Sequence, residues 1–378
     1  MVSTWNVRCG IATYTSYLSE ELVKQGNEVI VLSERKDVLP NSFDPDFPSK
    51  NIPFFECWSR NESFENLIEI VKKEIDTSTK NIVHIQHQFG LFPFETELTK
   101  LYEGLKSLPV TIVTTLHDVV SFVPRMEQYF NTIIAKSNSI IAHNNTCKYL
   151  LEKTWNCPPE KINLIYHGTK LIDLLPKEKS LEEIKRNLSS LNFTDKSKVL
   201  LSWGFLWESK GVLELVEIFS QVLKKYPETI FIHGGGLHPM FTRKDYLETI
   251  LKKAFTLGIR PSNFVITGFV KEEAIPTLFS AADVIVLNYT RGSASASGAA
   301  HRAVASGRPI IKTDDLCLEE IPGYVCPRFD KKSLLKGIFE ILENDSLSKD
   351  LVKQELELSL RTSWEETAKL HSKVYLEK

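Results

Sequence analysis

Several short stretches of this sequence put groups able to hold an anion or a polyhydroxylated ligand at points where the chain turns. The longest is Tyr289-Thr290-Arg291-Gly292-Ser293-Ala294-Ser295-Ala296-Ser297-Gly298-Ala299-Ala300. Small residues opening a helix leave successive backbone N–H groups exposed, which suits a phosphate. Trp203-Gly204-Phe205-Leu206-Trp207-Glu208-Ser209-Lys210-Gly211 places a glycine turn and a lysine before another helix. Lys210 there adds a point charge to the positive end of the helix dipole, an arrangement for a diphosphate. His233-Gly234-Gly235-Gly236 strips a strand end of side chains, so that a ligand can approach the backbone.

The first half offers different chemistry. His84-Ile85-Gln86-His87-Gln88-Phe89-Gly90 and Val113-Thr114-Thr115-Leu116-His117-Asp118 end apolar runs in imidazole, amide and carboxylate groups, a supply of donors and acceptors for sugar hydroxyls. Neighbouring strand residues alternate direction, so one of His84 and His87 faces the core; His87 is assigned to the ligand. His117 is placed to hydrogen-bond a sugar, with Asp118 close by to fix its orientation; capping of the following segment is the alternative for His117. In Trp5-Asn6-Val7-Arg8-Cys9-Gly10-Ile11-Ala12, the glycine either admits a ligand to the backbone or simply makes a turn. The fingerprint G-x-G-x-x-G is absent, which removes the main support for a nicotinamide dehydrogenase.

These stretches need a scaffold, and the hydrophobic pattern supplies one. Apolar runs at 28–33, 82–85, 110–115, 139–142 and 161–166 alternate with helical or loop segments such as 16–26. Continuous apolar strands between helices indicate a parallel sheet covered on both faces. Only Val2 to Thr4 precede the first glycine loop, so the first strand is abbreviated or starts upstream. The alternation pauses over 169–198, a charged segment with Pro176 read as a linker holding one short helix. It resumes with strands at 199–203, 229–233, 264–267, 283–287 and 309–313 and a helix over 211–226. The reading is α/β: two Rossmann-like doubly wound domains, 1–168 and 199–355, with the C-terminal ends of their sheets facing across a cleft.

Composition limits the function classes. At 378 residues the chain suits two domains, and 42% apolar with 25% charged residues is the composition of a folded protein. A formal charge of −2 gives no field to recruit nucleic acid. No apolar run is long enough to span a bilayer, and peripheral membrane contact stays open. Six cysteines without a C-x-x-C pair, and an N-terminus without a leader, fit reduced thiols and a cytoplasmic location. Cys147, Cys157 and His143 offer a candidate metal set, but the expectation is no metal and no cofactor.

With these segments in order, the chain resembles retaining glycosyltransferases of the GT-B fold, specifically the large family 4. The resemblance rests on Cys9-Gly10-Ile11-Ala12, Gln86-His87-Gln88-Phe89-Gly90, Thr115-Leu116-His117-Asp118 and Tyr166-His167-Gly168. The second half adds Gly204-Phe205-Leu206-x3-Lys210-Gly211, Ala282-Asp283-Val284, Ser297-Gly298 and Ala305-Ser306-Gly307-Arg308-Pro309. It implies a C-terminal helix, assigned to 356–378, that completes the first domain. It also implies His117, Asp118 and Lys210 as the catalytic group. Donor contacts would come from Gly10, Gly204, Phe205, Lys210, Gly234, Arg291, Ser293, Ser295, Ser297, Gly298, Ala299 and Arg302. Arg8, Cys9, His87, Gln88 and Phe89 would meet the acceptor.

Two departures stand out. The family's Glu-x7-Glu pair, whose second carboxylate holds the donor ribose, is replaced by Ala294 and Arg302. An arginine commonly paired with the lysine is replaced by Phe205, leaving Arg291 or Arg302 to supply a second positive charge. The implied activity is metal-independent transfer of a sugar from a nucleotide-diphosphate sugar to a hydroxyl of a glycan, lipid or small molecule. A non-catalytic nucleotide-sugar-binding module is the alternative, and a nucleotide-sugar epimerase a third reading.

Overall fold

The structure is a computed structural model that describes residues 1–35, 43–49, 51–120, 123–194, 196–238, 244–290 and 294–377. The chain divides into two compact α/β units. Unit 1 comprises Met1–Gly168, Trp364–Lys378 and a short segment near residue 295, and unit 2 the remainder.

In unit 1 the strands are β1 (Val2–Ser3), β2 (Val31–Glu34), β3 (Phe54–Trp58), β4 (Ile82–His87), β5 (Thr111–Leu116), β6 (Asp118–Val119), β7 (Ser139–Ala142) and β8 (Ile162–Leu164). All but β6 form one parallel sheet in the order β3-β2-β1-β4-β5-β7-β8. The helices are α1 (Gly10–Lys24), α2 (Glu65–Glu74), α3 (Glu95–Lys106), α4 (Glu127–Lys136) and α5 (Asn145–Lys153). Alternation along β5 shows why both faces are covered. Ile112 and Leu116 pack with Leu101, Tyr102 and Phe130 on one side, while Val113 packs with Tyr14, Leu18 and Trp364 on the other. The first strand is two residues long, yet it lies inside the sheet, in register with both Leu32 and Ile85.

Unit 2 begins with α6 (Lys177–Asn187) and carries β9 (Val199–Trp203), α7 (Val212–Lys225), β10 (Ile230–Gly234), α8 (Lys244–Thr256), β11 (Phe264–Ile266), α9 (Ile275–Ala281) and β12 (Val284–Leu287). A two-residue strand, β13 (Ala294–Ser295), is followed by α10 (Gly298–Val304), β14 (Ile310–Thr313), β15 (Tyr324–Cys326), α11 (Lys331–Glu343), α12 (Asp345–Arg361) and α13 (Trp364–Glu377). The second sheet is also parallel, ordered β11-β10-β9-β12-β14-β15. Strand β13 pairs antiparallel with β6, Ser295 opposite Asp118, and counts with unit 1.

Two boundaries differ from expectation. The stretch 169–198 is part of unit 2: Ile184, Leu191 and Phe193 are buried in its core beside Leu278 and Phe279. The charged residues dominate that sequence to the eye, but Ile184, Leu191 and Phe193 find cover, while Leu171 and Leu174 stay exposed. The return to unit 1 starts at Trp364 and not at 356, because α12 runs to Arg361 within unit 2. The crossing is tight on the unit 1 side, where a Cβ on Gly168 would stand 2.3 Å from the Trp364 ring.

Candidate functional site

In unit 2 the chain leaves β9 through Gly204, whose φ of +119° is a conformation open to glycine. It then passes a short turn of helix, Glu208–Lys210, and enters α7 through left-handed Gly211. A side chain at Gly211 would collide with Asn288 O at 2.2 Å, and Asn288 Nδ2 donates to Gly211 O at 2.9 Å. This close packing of the α7 entrance on the end of β12 fixes Lys210. Its Nζ lies 3.5 Å from the centroid of the Tyr289 ring, within cation–π range. The Tyr289 hydroxyl is buried and 2.8 Å from Ser297 Oγ, which accepts from Ala300 N as the N-cap of α10. A Cβ on Gly204 would sit 3.3 Å from Ala299 Cβ and 4.0 Å from Lys210 Cε. Gly204, Lys210, Ser297 and Ala299, far apart in sequence, are thus gathered around Tyr289, with Gly298 exposed between the last two.

Other residues of the expected donor set lie differently. A Cβ on Gly234 would meet Leu278 at 2.6 Å and Trp203 at 2.7 Å, so this glycine serves packing within unit 2. Gly235 is required because Gly204 O would lie 1.8 Å from a Cβ there. Phe205 faces the His238 ring at 4.8 Å. Arg302 is engaged with the Glu272 carboxylate, so its charge is already matched. Ser295 belongs to the β6–β13 ribbon of unit 1, its carbonyl accepting from Asn144 Nδ2 at 2.9 Å. Arg291 and Ser293 lie outside the described residues. Gly10 has open space where a side chain would stand and no positive φ, so the fold itself does not demand glycine there.

In unit 1, β4 divides its polar residues between two faces. His87 is fully buried, stacked on Phe92 at 5.5 Å, with Nε2 2.6 Å from the Tyr129 hydroxyl. Burial pushes its pKa down to about 3. It is a core residue, which corrects its assignment to the acceptor; the aromatic side chains of Phe89, Phe92 and Tyr129 enclose it.

The opposite face carries His84 and Gln86. Gln86 Oε1 lies 3.0 Å from His117 Nε2, so an amide, and not Asp118, orients this imidazole. Gln86 Nε2 lies 3.3 Å from His84 Nε2, and His84 Nδ1 2.7 Å from the Tyr375 hydroxyl of α13. Tyr14 of α1 meets the rings of His117, His143 and His167 at 4.8, 5.2 and 5.1 Å, and its hydroxyl lies 3.1 Å from His371 Nε2. Burial, and then the neighbouring His143 and His167, hold the half-buried His117 well below the usual imidazole pKa, hence neutral. Asp118 accepts from Gln88 Nε2 at 3.1 Å, and burial raises its pKa to about 6. Phe89 packs on Tyr129, Arg8 lies 3.8 Å from the Asp44 carboxylate, and partly exposed Cys9 precedes α1. Tyr14 and Asn144 stand outside the stretches read as sites, and Tyr289 only opens one of them, because one buried aromatic or amide resembles any other until its neighbours are known. Among the described residues no group of three or more His, Cys, Asp or Glu side chains is arranged to hold a metal ion.

Comparison with known proteins gives this geometry a context. Residues 9–171 match the family model described as Glycosyltransferase Family 4, and residues 183–357 match Glycosyl transferases group 1. A processive diacylglycerol alpha-glucosyltransferase of Acholeplasma laidlawii is 25% identical over 57% of this chain, and the match spans 58% of that enzyme. A glycosyltransferase structure from Rickettsia africae superposes with a TM-score of 0.77 at 19% identity, covering 100% of this chain and 97% of that one. Anabaena HepE in complex with UDP gives 0.73 at 14% identity, covering 100% and 99%. The fold is GT-B.

Proposed function

The chain belongs to the glycosyltransferases that these two family models describe, and we propose that it moves a sugar, with retention, from a nucleotide-diphosphate sugar to a hydroxyl acceptor. The observation that carries the reading is the grouping of Lys210, Gly204 and the Ser297–Ala299 backbone around Tyr289, in the region matched to group 1 transferases. Breaking the glycosidic bond develops charge on the leaving phosphate. A fixed ammonium beside backbone N–H groups stabilises that charge more in the transition state than in the ground state. His117, kept neutral, donates Nε2–H to Gln86 Oε1, which sets the direction of its ring and leaves Nδ1 to accept a hydrogen bond from a hydroxyl of the donor sugar. With no nucleophile assigned, the departing phosphate deprotonates the acceptor hydroxyl on the same face, which gives retention. The binding of UDP by the Anabaena protein supports a nucleotide diphosphate as the leaving group.

A specific observation keeps a second reading alive. Arg302 stands where the resemblance expects the ribose-holding carboxylate, and it is tied to Glu272. A nucleotide-sugar-binding module without turnover accommodates that loss. Incubation of the full chain with a panel of nucleotide sugars and acceptors separates the two. Release of nucleoside diphosphate, with the anomeric configuration of the product read by proton NMR, supports transfer with retention. Binding without release supports the module, and an inverted product removes the retaining mechanism.

A further inference from the structure

After β14, whose Thr313 hydroxyl donates to Tyr289 O at 2.8 Å, and after β15, the loops carry an exposed aromatic ring in an unusual backbone conformation. Pro327-Arg328-Phe329-Asp330 is a four-residue turn, closed by Asp330 N–H donating to Pro327 O at 3.2 Å. Its third residue, Phe329, has φ +66°, in the left-handed region where glycine or asparagine is ordinary and a bulky side chain is a real outlier. The neighbours hold it there. Arg328 N–H donates to Asp314 Oδ1 at 2.8 Å, and Asp330 Oδ1 caps α11 by accepting from Lys332 N and Ser333 N. The ring gains no burial for this conformation: Phe329 is 73% exposed.

Polar groups sit at the same place. Arg328 Nε lies 3.3 Å from the exposed Asp314 carboxylate, and Nη1 lies 3.9 Å from Asp315 Oδ2. Asp315 is 2% exposed, and its Oδ2 has no hydrogen-bond partner among the described residues. An uncovered aromatic face beside a guanidinium–carboxylate pair matches the two kinds of surface on a pyranose ring. Its axial C–H bonds form an apolar face that rests on an aromatic ring, and its equatorial hydroxyls pair with charged donors and acceptors. A backbone outlier that the surroundings enforce is a hallmark of ligand sites.

We propose that Phe329, Arg328 and Asp314 form a saccharide subsite that stacks one sugar ring of a glycan acceptor. This deepens the transferase reading by naming the acceptor as a saccharide, and it rests on that reading for its purpose. The binding itself is independent of turnover. The test is saturation-transfer NMR on the full chain with methyl α-glucoside, methyl α-mannoside and methyl β-galactoside, repeated on Phe329→Gly, Phe329→Trp and Arg328→Ala. Glycine suits the left-handed position, so Phe329→Gly removes the ring while the fold is kept, and its melting temperature verifies this. The expected result is transfer to the C–H protons of at least one glycoside, weakened roughly tenfold in affinity by Phe329→Gly and by Arg328→Ala and retained by Phe329→Trp. No transfer to any of the three, or transfer unchanged by Phe329→Gly, overturns the subsite. Titration of UDP, GDP and ADP on the same samples reports the donor site separately. Loss of nucleotide binding with the glycoside signal intact counts against the transferase reading alone.

Discussion

The ammonium of Lys210 lies 3.5 Å from the centre of the Tyr289 ring, and the hydroxyl of that ring reaches the serine that caps α10. The tyrosine therefore links the one lysine of the Gly204–Gly211 turn to the backbone that opens α10. Replacing Tyr289 with Leu removes both the ring beneath the charge and the hydrogen bond to Ser297. A cation–π contact is worth about 0.5–2 kcal/mol, so nucleoside diphosphate affinity should fall several-fold in Tyr289→Leu. Tyr289→Phe keeps the ring and should lose less. Calorimetric titration of the two variants checks the order.

Gln86, on β4, is the residue that decides where His117 points. In Gln86→Leu the imidazole loses its 3.0 Å partner while the strand keeps an apolar, sheet-compatible side chain. Turnover should drop roughly tenfold through misorientation, with nucleoside diphosphate affinity unchanged, because the proposed diphosphate grouping lies in unit 2 and does not include Gln86. Steady-state kinetics beside equilibrium binding separates the two quantities. A parallel loss of both would place Gln86 in the fold and not in the reaction.

His87 gives the opposite outcome. Its ring is stacked on Phe92 and its Nε2 is bonded to Tyr129, so His87→Ala leaves a cavity and takes one of two partners from the Tyr129 hydroxyl, which still donates to Phe92 O. The expected cost is about 2–4 kcal/mol of stability, read from denaturant unfolding, with acceptor KM unchanged in the folded fraction.

Glu355 supplies a pH signature. It is wholly buried on α12, with Oε1 accepting from Ile310 N at 2.8 Å, and burial raises its pKa from 4.5 to about 8. Between those values the unfolded chain ionises this group while the folded chain keeps it protonated. The unfolded state then binds fewer protons, so stability falls as pH rises through about 4.5 to 8, and the full loss persists above that window. Glu355→Gln keeps an acceptor for Ile310 and cannot ionise. Its melting temperature should exceed that of the parent chain at pH 9 and converge with it near pH 5, on thermal scans in matched buffers.

The sequence analysis reads best where burial is uniform. The strands Ser139–Ala142 and Val199–Trp203 were legible at their observed bounds because every residue of the run is apolar or small. Strand β3 was missed: it is an edge strand whose Phe54, Phe55 and Glu56 are exposed, so no periodic burial marks it. The β6–β13 pair was invisible for another reason, since two residues per strand carry no period and the paired Ser295 and Asp118 lie far apart in the chain. Among the residues grouped around Tyr289, Gly204, Lys210, Ser297 and Ala299 were legible because glycine turns and small-residue helix starts have a local signature. The choice between His84 and His87 depended on which face of β4 meets α4 and which meets α13, and that is decided by packing alone. Gly234 misled because a glycine needed for contact with Leu278 and Trp203 looks the same in sequence as one kept open for a ligand.

The central claim is that unit 2 holds a nucleoside diphosphate through Lys210. Titration of UDP, GDP and ADP into the full chain and into Lys210→Ala, with melting temperatures measured alongside, addresses it directly. The account predicts that at least one of the three binds the parent chain, that Lys210→Ala weakens it roughly tenfold or more, as loss of a charge-assisted contact requires, and that the fold is unaffected. Equal affinity in the parent chain and in Lys210→Ala, or no binding of any of the three, contradicts it.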